Sequence, residues 1–98
     1  MSKEKLKKYE NGFLRQDKVD KIDYTLIPLN VLTALAIHYT NGAKVHGKDN
    51  WMKCKDMNSF KESAFRHLVA VLENKTDEDH ESALVWNINC LKWHRLND

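Results

Sequence analysis

The chain has 98 residues, 42% of them hydrophobic, with 16 lysines and arginines against 14 acids and a formal charge of +2. That length holds one domain with one core, which buries roughly 60–65% of the surface the unfolded chain exposes. The charge balance excludes the dense basic stripe of a protein that wraps long nucleic acid, and no apolar run is long enough to span a membrane.

Most of the basic excess falls in the first 21 residues. Residues 1–23 are charged and poor in branched apolar side chains, so they read as a flexible basic arm, with a short helix at Lys3–Tyr9. Such an arm is either merely solvated or touches phosphate. No charged-then-apolar leader opens the chain. Cys54 and Cys90 lie 36 positions apart with no CxxC partner, as expected of reduced cytosolic thiols rather than a disulfide.

The globular domain is expected over residues 24–98. Pro28 suits a helix start, and the first helix should run from there to the Asn41-Gly42 stop signal. Val31, Leu32, Leu35, Ala36 and Tyr39 make one stripe, so the helix should be deeply buried. Residues 41–59 follow as a long structured connection of the kind that often binds ligands. A second helix is expected over Ser59–Glu73, opened by a capping box from Ser59 to Glu62, with Phe60, Ala64, Leu68 and Val71 inward. A third should span Asp77–Leu96, with Thr76 and Asp79 as its box. The class is all-α: a small bundle of three main helices.

On that third helix His80, Asn87 and His94 recur every seven residues, inside the arc of Ala83, Leu84, Trp86, Cys90, Leu91 and Trp93. His67 falls beside Phe60 and Val71 on the second helix. Buried polar groups cost ~1–3 kcal/mol each when unsatisfied, so these four form either a structural network or a pocket. Asp77 and Glu78 complement a helix dipole in the plain reading, while Asp79, next to His80, is the carboxylate best placed for chemistry. Arg66 either pairs with Glu62 or clamps phosphate. Trp51 either plugs the core or stacks a nucleobase whose edge Asn50 reads.

These residues, in this order, resemble the phage dATP/dGTP diphosphohydrolase N-terminal domain family. The matching pieces are Leu26-Ile27-Pro28, Gly42-Ala43-Lys44, Asn50-Trp51, Arg66-His67-Leu68, Asp77 to His80 and Trp86-Asn87, spread over about residues 24–95. The family is similar to the all-α MazG-like nucleotide pyrophosphohydrolases. The resemblance implies Mg²⁺-assisted cleavage of a deoxynucleoside triphosphate to monophosphate and pyrophosphate, in the cytoplasm of an infected bacterial host. On it, Asp79 would hold Mg²⁺ with Asp77 or Glu78, and His67 or His80 would move a proton. Lys44, Asn50, Trp51, Arg66 and Asn87 would contact the nucleotide.

One departure bears on this. Family members usually have Gly-Glu where this chain has Asn74-Lys75, and the Glu-x-x-Glu pair of MazG-like enzymes has no match in the second helix beyond Glu62. The alternative is therefore a non-catalytic module that sequesters a nucleotide, such as a cyclic-nucleotide immune signal of the host. A third reading is a helical interaction protein without a ligand. In each case a domain this small, with Trp86 and Trp93 on one stripe, is expected to form a homo-oligomer.

Overall fold

A computed structural model describes residues 21–98 in full, and the backbone of two short strands, β1 (Leu6–Lys8) and β2 (Leu14–Gln16). The strands pair antiparallel, with Lys7 opposite Arg15. The helix expected at Lys3–Tyr9 thus gives way to strand at Leu6–Lys8, since so short a charged helix has too few hydrogen bonds to persist in water. The flexibility expected of the arm concerns residues that lie otherwise outside those described.

The rest is helical. A 3₁₀ turn (Tyr24–Leu26) leads into α1 (Leu29–His46), the single-turn α2 (Asn50–Lys53), α3 (Met57–Leu72) and α4 (His80–Asn97). The class is all-α, as the periodicities predict. α4 is the central element: α3 packs along it as an αα-hairpin, and α1 and α2 pack on it as well.

Several boundaries shift for local reasons. α1 runs through the Asn41-Gly42 signal and stops at Gly47, whose φ of 94° only glycine adopts easily and whose N–H donates to the Ala43 carbonyl at 2.9 Å. The long connection therefore shortens to residues 47–56 and contains α2. α3 starts two residues early because Asp56 caps it, accepting the Ser59 N–H at 3.3 Å, so Ser59 is inside the helix rather than its cap. α4 starts at His80, not Asp77, because Asp79 caps it and accepts the Ser82 N–H at 3.0 Å. In both cases a carboxylate takes the cap position at the partly positive helix start.

Among the described residues the buried apolar ones are Phe60, Ala64 and Ala70 of α3 with Ala83 and Cys90 of α4. His80, Asn87 and His94 are buried too, as their heptad spacing predicts. Leu68, expected inward, is partly exposed, and Ala70 takes a place in the core. The deep burial expected of α1 is not found: it has no buried residue, and Val31 is 60% exposed. Among the described elements its one substantial neighbour is α4, so only one narrow side is covered by them. Cys54 and Cys90 are free thiols. Among the described residues no helix is long and apolar enough to cross a membrane.

Candidate functional site

The turn between α3 and α4 brings the two histidines together. Asn74 adopts a left-handed φ of 58°; its N–H donates to the Val71 carbonyl and the Lys75 N–H to the Ala70 carbonyl, both at 3.0 Å. This is a Schellman stop, and Asn is the residue that best replaces Gly at such a left-handed position. The Asn74 departure from Gly therefore keeps the turn. The Lys75 departure changes charge, and its ammonium pairs with Glu73 at 3.3 Å. Five residues after Asn74, Asp79 caps α4, and the chain has reversed with His67 facing His80.

Nδ1 of His67 lies 2.9 Å from Nδ1 of His80. On its other side His80 presents Nε2 to Oδ1 of Asp77 at 2.7 Å. An ionised carboxylate only accepts, so His80 Nε2 carries the hydrogen and, in the neutral ring, Nδ1 is a bare lone pair. The shared hydrogen between the two Nδ1 atoms then belongs to His67, which donates it. Glu78 Oε1 stands 3.8 Å from His67 Nδ1 and 3.9 Å from His80 Nδ1. Burial pushes the His67 pKa down, against a weaker opposite pull from the Glu78 charge. The hydrogen bond from His80 holds Asp77 below the ordinary carboxylate value, and bonds from Ser82 do the same for Asp79.

The acids do not converge on one point. Asp79 serves the α4 cap and Asp77 serves His80, which leaves Glu78 as the carboxylate facing the imidazoles. Mg²⁺ needs several hard oxygen donors, and a set of two imidazole nitrogens and one carboxylate does not fit it. The Mg²⁺ ligands expected from Asp79, Asp77 and Glu78 therefore do not form a shared set within this chain.

The fold carries a second feature. The C-terminal half of α1, α2 and the middle of α4 enclose a cleft of about 390 Å³, lined by Tyr39, His46, Lys48, Asn50, Trp51 and Trp86 among others. Its rings meet edge to face: Tyr39 is 6.2 Å from Trp51 and 6.3 Å from Trp86, centroid to centroid. Trp51 is fixed from behind by Trp93 at 5.3 Å, and its carbonyl accepts from His94 Nε2 at 3.1 Å. His38 of α1 stands beside the Trp86 wall of the cleft, its ring centroid 5.6 Å from that of Trp86.

The sequence-derived residues divide between these features. His67, His80, Asp77 and Glu78 gather at the hairpin end, and Asn50 and Trp51 line the cleft. Lys44 is exposed on α1 and does not line the cleft; Lys48 does. Arg66 is exposed, and none of the ion pairs among the described residues joins it to Glu62. Asn87 is 2% exposed, and its amide nitrogen donates to Ser63 Oγ at 3.2 Å and the Ala83 carbonyl at 2.9 Å, tying α4 to α3. Tyr39, Trp86 and His38 escaped the sequence reading of the site. Tyr39 and Trp86 sat in apolar stripes and read as core, and nothing in the pattern marked His38.

Fold and site together define a small all-α domain that pairs an aromatic cleft with a clustered histidine–carboxylate centre. The chain belongs to the dATP/dGTP diphosphohydrolase, N-terminal family, whose model matches residues 11–98. No curated protein and no solved structure matches it.

Proposed function

We propose that the domain binds a purine deoxynucleoside triphosphate and hydrolyses it to the monophosphate and pyrophosphate. The observation that carries this is the aromatic cleft, whose Trp86 ring lies 5.6 Å from His38, together with the His67–His80 pair at the hairpin end. Its volume falls within the range of about 300–1,000 Å³ common for small-molecule sites. The base stacks against Tyr39, Trp51 or Trp86, with the Asn50 amide at its edge, and the triphosphate runs toward His38 and the hairpin. Mg²⁺ arrives on the triphosphate as part of the substrate, since this ion is commonly held by substrate phosphates. Water attacks the α-phosphorus, the bond to the bridging oxygen breaks, and pyrophosphate leaves. An imidazole of the pair accepts the proton of the water.

A second reading is supported by the engagement of Asp77 and Asp79 within the fold and by Lys75 standing where the family has an acid. On it the same cleft holds a nucleotide without turnover. A panel of deoxynucleotides, ribonucleotides and cyclic nucleotides, with and without Mg²⁺ or Mn²⁺, separates the two. Pyrophosphate release from dATP or dGTP supports hydrolysis. Tight binding with intact ligand recovered supports sequestration. Absence of binding, with Asn50→Ala and Trp51→Phe indistinguishable from the parent, rejects both.

We also infer self-association. Phe65, Leu68, Val69 and Leu72 form an i, i+3, i+4, i+7 stripe on the side of α3 away from its core contacts, with Phe65 68% and Leu72 72% exposed. Among the described residues the buried apolar core contains one large side chain, Phe60, which is small for a chain of this length. A second copy related by a two-fold axis covers the stripe with its own.

A further inference from the structure

The His67–Glu78–His80 cluster has the composition and spacing of a metal site for a different ion from the one the family resemblance implies. Its donor atoms are His67 Nδ1, His80 Nδ1 and Glu78 Oε1, separated by 2.9, 3.8 and 3.9 Å. Nitrogen ligands about 2.0–2.1 Å from a common ion lie roughly 3.0–3.4 Å apart. The two imidazoles thus need to part by only a few tenths of an ångström, and the carboxylate is already within reach.

Three further features favour an ion there. The Asp77 carboxylate takes the Nε2–H of His80, leaving the His80 Nδ1 lone pair aimed into the cluster. A carboxylate on the far nitrogen is the usual partner that fixes the tautomer and orientation of a metal-binding imidazole. His67 and His80 are held on separate helices by the Schellman turn, so the site is largely pre-formed before an ion enters. Glu78 is on the connection and open to solvent, which leaves room for water or a ligand atom as a fourth donor. Occupancy requires His67 to change tautomer, its hydrogen passing from Nδ1 to Nε2, and the ring edge is partly exposed for that exchange.

We propose that His67, His80 and Glu78 bind one borderline divalent transition-metal ion of the Zn²⁺ and Co²⁺ class, with Asp77 as the positioning residue behind His80. Two imidazoles and one carboxylate select such ions over Mg²⁺. Because the ligands span α3, the turn and α4, the ion clasps the hairpin. This inference does not depend on the nucleotide reading: the ion can bind a chain that hydrolyses nothing, and while it holds both Nδ1 atoms, with each Nε2 protonated, neither imidazole is free to act as the base.

The test uses the full chain, stripped with a chelator and titrated with Co²⁺ while its visible d–d bands are recorded, then with Zn²⁺ by calorimetry. The expected result is one ion per chain, with Co²⁺ bands that Zn²⁺ abolishes and a large molar excess of Mg²⁺ does not. His67→Gln and Glu78→Gln should each weaken Zn²⁺ by tenfold or more, while Glu81→Gln leaves it unchanged. Asp77→Asn should weaken it roughly 10–100-fold, the range for loss of such a partner. Both primary variants alter partly or largely exposed side chains, and circular dichroism checks that they fold. No stoichiometric binding, displacement by Mg²⁺, or unchanged affinity in folded His67→Gln and Glu78→Gln would overturn the proposal.

Discussion

Asp77 and His80 are three residues apart and joined side chain to side chain, Oδ1 to Nε2 at 2.7 Å, across the start of α4. The contact determines the hydrogen positions of the whole cluster, because the carboxylate can only accept. Imidazole ¹⁵N shifts of the metal-free protein near pH 8 should show His80 protonated at Nε2 and His67 at Nδ1. In Asp77→Ala the His80 resonances should move toward the average of two tautomers. His80 found protonated at Nδ1 in the parent chain would contradict the assignment.

Asp79 is the α4 cap, and its role in chemistry can be separated from that. Asp79→Ala should lower stability by about 1 kcal/mol, the usual cost of losing a capping side chain, whereas Asp79→Asn should cost much less. If the carboxylate only caps, turnover of any nucleotide per folded molecule survives Asp79→Asn. Denaturant titration beside single-turnover assays reads both, and loss of turnover in a fully stable Asp79→Asn would restore a catalytic role.

Burial pushes the Cys90 thiol from its ordinary 9.0 up to about 12, with a smaller contribution from Cys54, and burial also raises the Tyr39 phenol. Both groups stay neutral in the fold at a pH where the unfolded chain ionises them. Their contribution to stability is therefore complete below pH 9 and is lost as pH rises from there toward 12. Denaturation midpoints should fall across that window, less steeply in Cys90→Ala. At pH 8, a thiol reagent should modify Cys54 alone in the folded chain and both cysteines after unfolding.

The outer stripe of α3 makes a concentration-dependent prediction. Light scattering on a size-exclusion column should give a mass above one chain at micromolar concentration. Phe65→Lys or Leu72→Lys should return it to a single chain while preserving helix content, since neither side chain is in the core. A parent chain that runs as a monomer at every accessible concentration would remove the inferred interface.

Much of the fold was legible in the residue pattern. Helical period, the absence of sustained alternation and the heptad His80–Asn87–His94 are local properties, because a helix repeats its faces every few residues whatever it packs against. Helix ends were less legible. Ser59 and Thr76 have the right chemistry for caps, but Asp56 and Asp79 hold the cap positions, and the sequence alone does not rank them.

For the site, the sequence by itself determined which groups could act: His67, His80 and their acidic neighbours, Trp51 and Asn50. Only the tertiary structure decided which of them meet. It turned Asp79 into a cap and Asn87 into a tie between helices, set Glu78 and not its neighbours against two imidazoles, and built the cleft wall from Tyr39 and Trp86. The physical reason is distance. Residues 67 and 80 become partners only because a left-handed Asn74 reverses the chain between them, and an angle at one residue leaves no periodic trace in the sequence.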